Sequence, residues 1–162
     1  MVHQKTHGGS MRYVISRKNT HKIKKSVQKY LNNEKINNID SIKGCLKFKK
    51  KCEFSKKNLK NKINKILKEG KNIAGYAATS KSTTILNYCG INQKHIDFIC
   101  DTTKSKIGKY TPQTHIPIVN MTHYYQNIPD YTFLFAWNHK KEIFKKERKI
   151  LKKTKWIAHI NI

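Results

Sequence analysis

Gly75-Tyr76-Ala77-Ala78-Thr79-Ser80-Lys81-Ser82-Thr83-Thr84 is the stretch that decides the fold. An apolar run (71–78) enters a turn of small residues, and a segment rich in Ser and Thr leaves it. That is the pattern of a strand, a turn at Thr79-Ser80-Lys81, and a helix. Free N–H groups at a helix start, together with the helix dipole, favour an anion. Small side chains let the backbone approach a phosphate closely. Lys81 adds a mobile point charge, and the hydroxyls of Ser80, Ser82 and Thr83 add donors beside Thr79. The loop is not a Walker A sequence, because GxxxxGK[ST] is absent, and Ala77 stands where GxGxxG has its second glycine. An ordinary capped βα turn would carry the same residues.

Working toward the C-terminus, strand and helix patterns alternate. A helix over 82–89 closes at Gly90, and a strand over 95–100 ends at Asp101. A long loop (102–115) leads to a short strand (116–120), a strongly apolar strand (131–137), a basic amphipathic helix (142–153) and a last strand (155–160). This alternation predicts an α/β, Rossmann-like, mostly parallel sheet with flanking helices and right-handed crossovers. Such sheets bind ligands outside the carboxyl ends of their strands. Three further candidates lie there. Asp101 could take ribose hydroxyls or cap the next turn. In the loop Gly108-Lys109-Tyr110-Thr111-Pro112-Gln113-Thr114-His115, Thr114 and His115 could meet the ligand, His115 donating to a phosphate or satisfying backbone carbonyls. Asn138, in Trp137-Asn138-His139, could bind a base, a sugar or a diphosphate oxygen, or cap the following helix.

Working toward the N-terminus, residues 7–18 read as a glycine turn and a strand that needs a sheet to join, one another chain could supply. A helix is expected over 21–31 with Asn19 or Thr20 as N-cap, then an Asn-rich loop over 32–38. A long helix over 41–69 carries Cys45, Phe48, Cys52, Leu59, Ile63 and Ile66 as an apolar stripe interrupted at Ser55, and Gly70 suits its C-cap. The chain thus divides into an N-terminal strand and helical region, 1–69, and a Rossmann-like domain, 70–162, preceded by that strand and two helices.

Composition narrows the classes. The 162 residues contain no apolar run long enough to span a bilayer, and the polar N-terminus lacks a signal-peptide core, so a cytoplasmic location is expected. Cys45, Cys52, Cys89 and Cys100 form no CxxC pair, which leaves free thiols and no metal site. The net charge of +26 invites a nucleic-acid reading, but 32 of the 35 basic residues are lysine. Phosphate readers favour the bidentate arginine fork. A Lys/Asn/Ile excess follows from an AT-rich genome, and the lysines fall mostly on predicted helix faces, where solvated charge is the ordinary condition.

Four segments in order resemble the C-terminal domain of the S-adenosylmethionine-dependent sugar C-methyltransferases: GYAATSKSTTILNYCGI (75–91), IDFICDTT (96–103), IGKYTPQTHIPI (107–118) and DYTFLFAWNHKKEI (130–143). HGGSMRYV (7–14) resembles the strand joining that domain to the catalytic one, which implies a domain interface at His7, Gly8, Gly9 and Ser10. Members commonly have Gly where Ala77 stands, so Ala77 narrows the room for ligand approach. The resemblance implies that this domain anchors a nucleotide-linked sugar, with Lys81, Ser80 and Thr83 at the diphosphate, His115 and Asn138 completing the crevice, and Asp101 nearer the nucleoside. The family's Tyr-x-Glu-His motif, its acidic-x-Gly-x-Gly donor loop and its four-cysteine zinc motif are not in these residues.

The expectation is a substrate-anchoring portion of a sugar C-methyltransferase, encoded apart from its catalytic part or left by gene fragmentation and inactive alone. It carries no catalytic residue or cofactor of its own; S-adenosylmethionine belongs to a missing domain or a separate methyl-donor-binding polypeptide. The alternative class is a small basic protein binding nucleic acid or another polyanion through the lysines of 22–68. A stand-alone dinucleotide oxidoreductase is a weaker third, lacking the second glycine and a proton-transfer constellation.

Overall fold

The computed structural model describes residues 1–160, apart from the side chain of His7. The chain folds as two compact units, Met1–Glu53 and Phe54–Ile162. The described residues form seven strands and five α-helices.

In the first unit, β1 (Val2–Gln4) and β2 (Ser10–Arg12) pair antiparallel, Val2 opposite Arg12 and Gln4 opposite Ser10. The strand after His7 therefore finds its partner in this chain's own first residues, contrary to the expected pairing with another chain. Gly8 (φ 86°) and Gly9 (φ 126°) provide the reversal, conformations that L side chains rarely adopt. Helix α1 runs Lys25–Ile36, several residues later than expected, with Lys24 rather than Asn19 or Thr20 before it. The supposed Asn-rich loop is largely its last turns. Gln28 donates to Asn32 Oδ1 at 2.8 Å and Asn37 Nδ2 to the Asn33 carbonyl at 2.8 Å, so the amides bond along the helix instead of ending it.

Helix α2 (Ile42–Lys68) runs unbroken through Ser55. Its apolar stripe is only half used: Leu59, Ile63 and Ile66 are buried in the second unit, whereas Phe48 is 69% exposed and Cys45 is exposed. Each buried aliphatic side chain there contributes about 1.5–3 kcal/mol.

The second unit is built on five parallel strands: β3 (Ile73–Tyr76), β4 (Ile99–Cys100), β5 (Ile118–Val119), β6 (Tyr131–Leu134) and β7 (Lys155–Ile157), in the order β5-β4-β3-β6-β7. The α/β Rossmann-like expectation holds. One layer of helix comprises the end of α2 and α3 (Ser80–Cys89), packed on Ile73, Ile99, Phe133 and Ile157. Packed on the other face, Tyr124 of α4 (Met121–Gln126) and Ile143 and Phe144 of α5 (Lys140–Lys146) meet Ala74, Tyr76, Cys100 and Leu134. The alternation along each strand sends neighbouring residues to opposite layers.

The strands are shorter than the apolar runs that announced them. β6 stops at Leu134 because Trp137–His139 wind into a 3-10 turn. Helix α4 was not anticipated; it starts where Asn120 Oδ1 accepts the His123 amide at 2.8 Å. Helix α5 begins and ends earlier than its pattern, leaving the helix at Glu147, whose carboxylate accepts from the Tyr76 hydroxyl at 2.6 Å. Among the described residues, no helix is long and apolar enough to cross a membrane.

Candidate functional site at the carboxyl edge of the sheet

From β3 the chain moves to β4 on one side; from β6 it moves to β7 on the other. The gap between β3 and β6 is therefore the switch point, where open parallel sheets leave a crevice at the carboxyl ends. Ala77 to Lys81 line one bank and Ala136 to Asn138 the other.

On the first bank the turn is tightly specified. Ala77 has φ 73°, a left-handed conformation, and its N–H donates to the Cys100 carbonyl at 2.8 Å. Ala78 is held at both ends: its N–H donates to Asp101 Oδ2 at 2.8 Å, and its carbonyl accepts from Lys106 Nζ at 2.7 Å. Thr79 is the N-cap of α3 and accepts the Ser82 amide on its side chain at 3.1 Å. Thr83 N–H reaches the Thr79 carbonyl at 3.3 Å. The amides of Ser80 and Lys81 have no acceptor among the described residues, so the positive end of α3 opens outward. Gly90 closes the helix in the left-handed region at φ 64°.

Thr79, Ser80, Ser82 and Thr83 line one cavity of about 290 Å³, completed by Lys106, Lys109 and Tyr110 from the loop after β4. Lys81 is not part of that wall. Its ammonium crosses to the other bank, donating to Asn138 Oδ1 at 3.1 Å and lying 5.2 Å from the centre of the Trp137 ring. The cation is thus fixed at the switch point by an amide and an aromatic face.

Of the remaining sequence candidates, Asp101 is buried, and both its oxygens are engaged, Oδ1 by the Thr103 amide at 2.8 Å and Oδ2 by Ala78. Burial raises its pKa, but the Thr103 donors, Lys106 and the Ala78 amide outweigh burial and hold it below the ordinary carboxylate value. Thr114 is buried against Thr111, their hydroxyls 2.7 Å apart, and Thr111 Oγ1 also accepts the Ile116 amide at 2.9 Å. His115 is exposed, with φ 53°, and lines neither the cavity beside α3 nor the one described next. Gly8 and Gly9 lie in the hairpin turn and Ser10 opens β2, its Oγ donating to the Thr6 carbonyl at 3.1 Å; the side chain of His7 lies outside the described residues.

Sequence reasoning missed three groups. Lys106 and Lys109 hide in a run of lysines with no distinguishing spacing. On the opposite face of the sheet, a cavity of about 330 Å³ is bounded by Tyr76, Ala77, Cys100, Asp101, His139 and Lys146. Below it, buried Glu147 accepts from Tyr76 and from Tyr125 at 3.0 and 3.1 Å. Burial and that carboxylate push Tyr125 up to about 12, and burial pushes the Cys100 thiol up to about 12. Glu147 did leave a signal: it stands four after Ile143 and three before Ile150, on the apolar side of its segment. Among the described residues, no group of three or more His, Cys, Asp and Glu side chains could hold a metal ion.

An open parallel sheet with a polarised helix start at its switch point defines a Rossmann-like α/β domain. The C-methyltransferase C-terminal domain model matches residues 5–160, and the chain belongs to that family. It is 30% identical over 146 residues to the C-methyltransferase NovU of Streptomyces niveus, an alignment covering 90% of this chain and 35% of that relative. The chain therefore spans about a third of the length of the curated relative it matches.

Proposed function

We propose that this chain is the substrate-anchoring part of a sugar C-methyltransferase and binds a nucleoside diphosphate sugar at the β3–β6 switch point. One observation carries the reading: Lys81 is held across the switch point by Asn138, beside the two free amides at the start of α3. A helix start with an ammonium next to it is complementary to a phosphoryl group. In the cavity beside α3, Ser80 and Thr83 supply hydroxyl donors and Lys109 a further cation. Asn138 keeps its amide donors for the ligand while its oxygen serves Lys81.

The same charges suit S-adenosylmethionine poorly, because a sulfonium would face Lys81 and the positive end of α3. The acidic side chain at the end of β4, Asp101, is already engaged by two amides. In this reading, methyl-donor binding and proton abstraction next to the sugar's keto group are supplied by another part of the enzyme or a partner polypeptide. His7, Gly8, Gly9 and Ser10 would face it. The 162 residues alone hold substrate without methylating it.

Calorimetric titration of the chain with thymidine or uridine diphosphate hexose is the direct test. Saturable binding that Lys81→Ala weakens supports the reading; no heat and no thermal stabilisation at millimolar ligand defeat it.

A further inference from the structure

The carboxyl edge of the sheet holds a titratable side chain with no part in the reading above. His159 follows β7, and its ring meets Trp137 edge-on, centroids 6.2 Å apart at 75°. The Trp137 ring also carries Lys81 Nζ at 5.2 Å, so imidazole, indole and ammonium form one row beside the switch point. His159 Nδ1 is sealed from solvent and has no hydrogen-bond partner among the described residues, an arrangement that native interiors rarely tolerate without a purpose. The residue lines a cavity of about 420 Å³ together with Ser55, Asn58 and Lys62 of α2.

Among the described residues, the charges around this ring have one sign. Lys81 faces it from α3, and Lys62 shares the cavity from α2. The side that follows β6 contributes the neutral Trp137, and among the described residues no carboxylate lines the cavity. Burial first, and Lys81 second, hold the imidazole below its ordinary value, so the free protein keeps it neutral at pH 7.

We infer that His159 is a further binding residue of this site and takes up a proton when a diphosphate settles beside Lys81. The inference rests on the nucleotide-sugar reading. An anion at Lys81 reverses the sign of the field reaching the imidazole through Trp137, and the charged ring then helps hold the anion. By linkage, proton uptake on binding makes binding tighter as pH falls. A nucleoside diphosphate hexose has no phosphate ionisation between pH 5 and 8, so the slope belongs to the protein.

The experiment is calorimetric titration of the full chain with uridine diphosphate glucose and thymidine diphosphate glucose from pH 5.5 to 8, in two buffers of different ionisation heat. Proton uptake is expected, with affinity tighter at the acid end by up to about tenfold, the limit set by one pKa unit of displacement. His159→Gln is expected to remove the slope and the proton uptake. Equal heats in the two buffers, or a slope that survives His159→Gln, overturn the inference while leaving nucleotide-sugar binding intact. The buffer comparison uses wild-type protein, so it decides the matter even where the variant folds badly. No binding of either nucleotide at any pH defeats the nucleotide-sugar reading and this inference with it.

Discussion

Lys81 and Asn138 stand 57 positions apart and meet at 3.1 Å, ammonium to amide oxygen, over the gap between β3 and β6. A lysine on a helix start ordinarily swings freely in solvent; here it is tied to the far bank. Lys81→Ala is expected to weaken binding of a nucleoside diphosphate hexose about 10- to 100-fold, the range of a lost charge-assisted hydrogen bond of about 1.5–3 kcal/mol. Replacing Lys47, Lys50, Lys57 and Lys65 of α2 with Gln is expected to leave that affinity unchanged. The reverse pattern, with a steep salt slope on DNA that follows the α2 lysines, would favour the polyanion reading.

Ala77 occupies a left-handed conformation at φ 73°. An L-residue pays about 1–2 kcal/mol there, and glycine gives back about half of that in unfolded-chain entropy. Ala77→Gly is therefore expected to raise stability by about 0.5–1 kcal/mol, a rise of roughly 2 °C in the thermal midpoint. A lower midpoint would show that the alanine methyl makes a compensating contact.

Gly75 is a different case, because its backbone is ordinary and its surroundings are full. A Cβ there would stand 2.7 Å from Ile99 Cγ1 and 2.8 Å from Phe135 Cε2, both on fully buried side chains. Gly75→Ala is expected to destabilise by about 1–3 kcal/mol in urea denaturation. An unchanged midpoint would mean that β3 and β4 separate more easily than their packing implies.

Asp101 links this edge of the sheet to acid stability. Its folded pKa lies below the unfolded value of 3.8, so its stabilisation is fully present above about pH 4 and is lost as pH falls through the folded value. Asp101→Asn is expected to cost about 2 kcal/mol at pH 6, from hydrogen bonds that lose their charge. The gap between variant and wild type should close as the pH is lowered from 4 toward 2. Denaturant titrations at several pH values measure it, and a gap constant down to pH 2 would contradict the assignment.

Much of this was legible in the residues. The change from apolar run to Ser/Thr-rich segment around Thr79, and the glycine at 90, located β3 and α3 to within two residues: Ser80 and Lys81, expected in the turn, open the helix because Thr79 caps it. The parallel sheet followed from alternation of strand and helix. Side-chain destinations were not legible. Thr114 has the composition of a loop donor, yet the chain turns it inward onto Thr111. Asp101 suits a ribose contact and a turn cap equally well by residue type, and its partners Ala78 and Thr103 are not distinguishable from sequence. The row of Lys81, Trp137 and His159 joins three segments that share no sequence spacing. In the first unit, asparagines that commonly mark loops bonded along α1, where tertiary burial does not decide the outcome.

The capping of α3 has a consequence for valence. Thr79 already satisfies the Ser82 and Thr83 amides, so the backbone socket offers two N–H groups, enough for the oxygens of one phosphoryl unit. A second phosphoryl must find its counter-charge on side chains. Selection between ligands with one phosphate and those with two would then reside in a few replaceable lysines, while the peptide framework that receives the first phosphate stays the same.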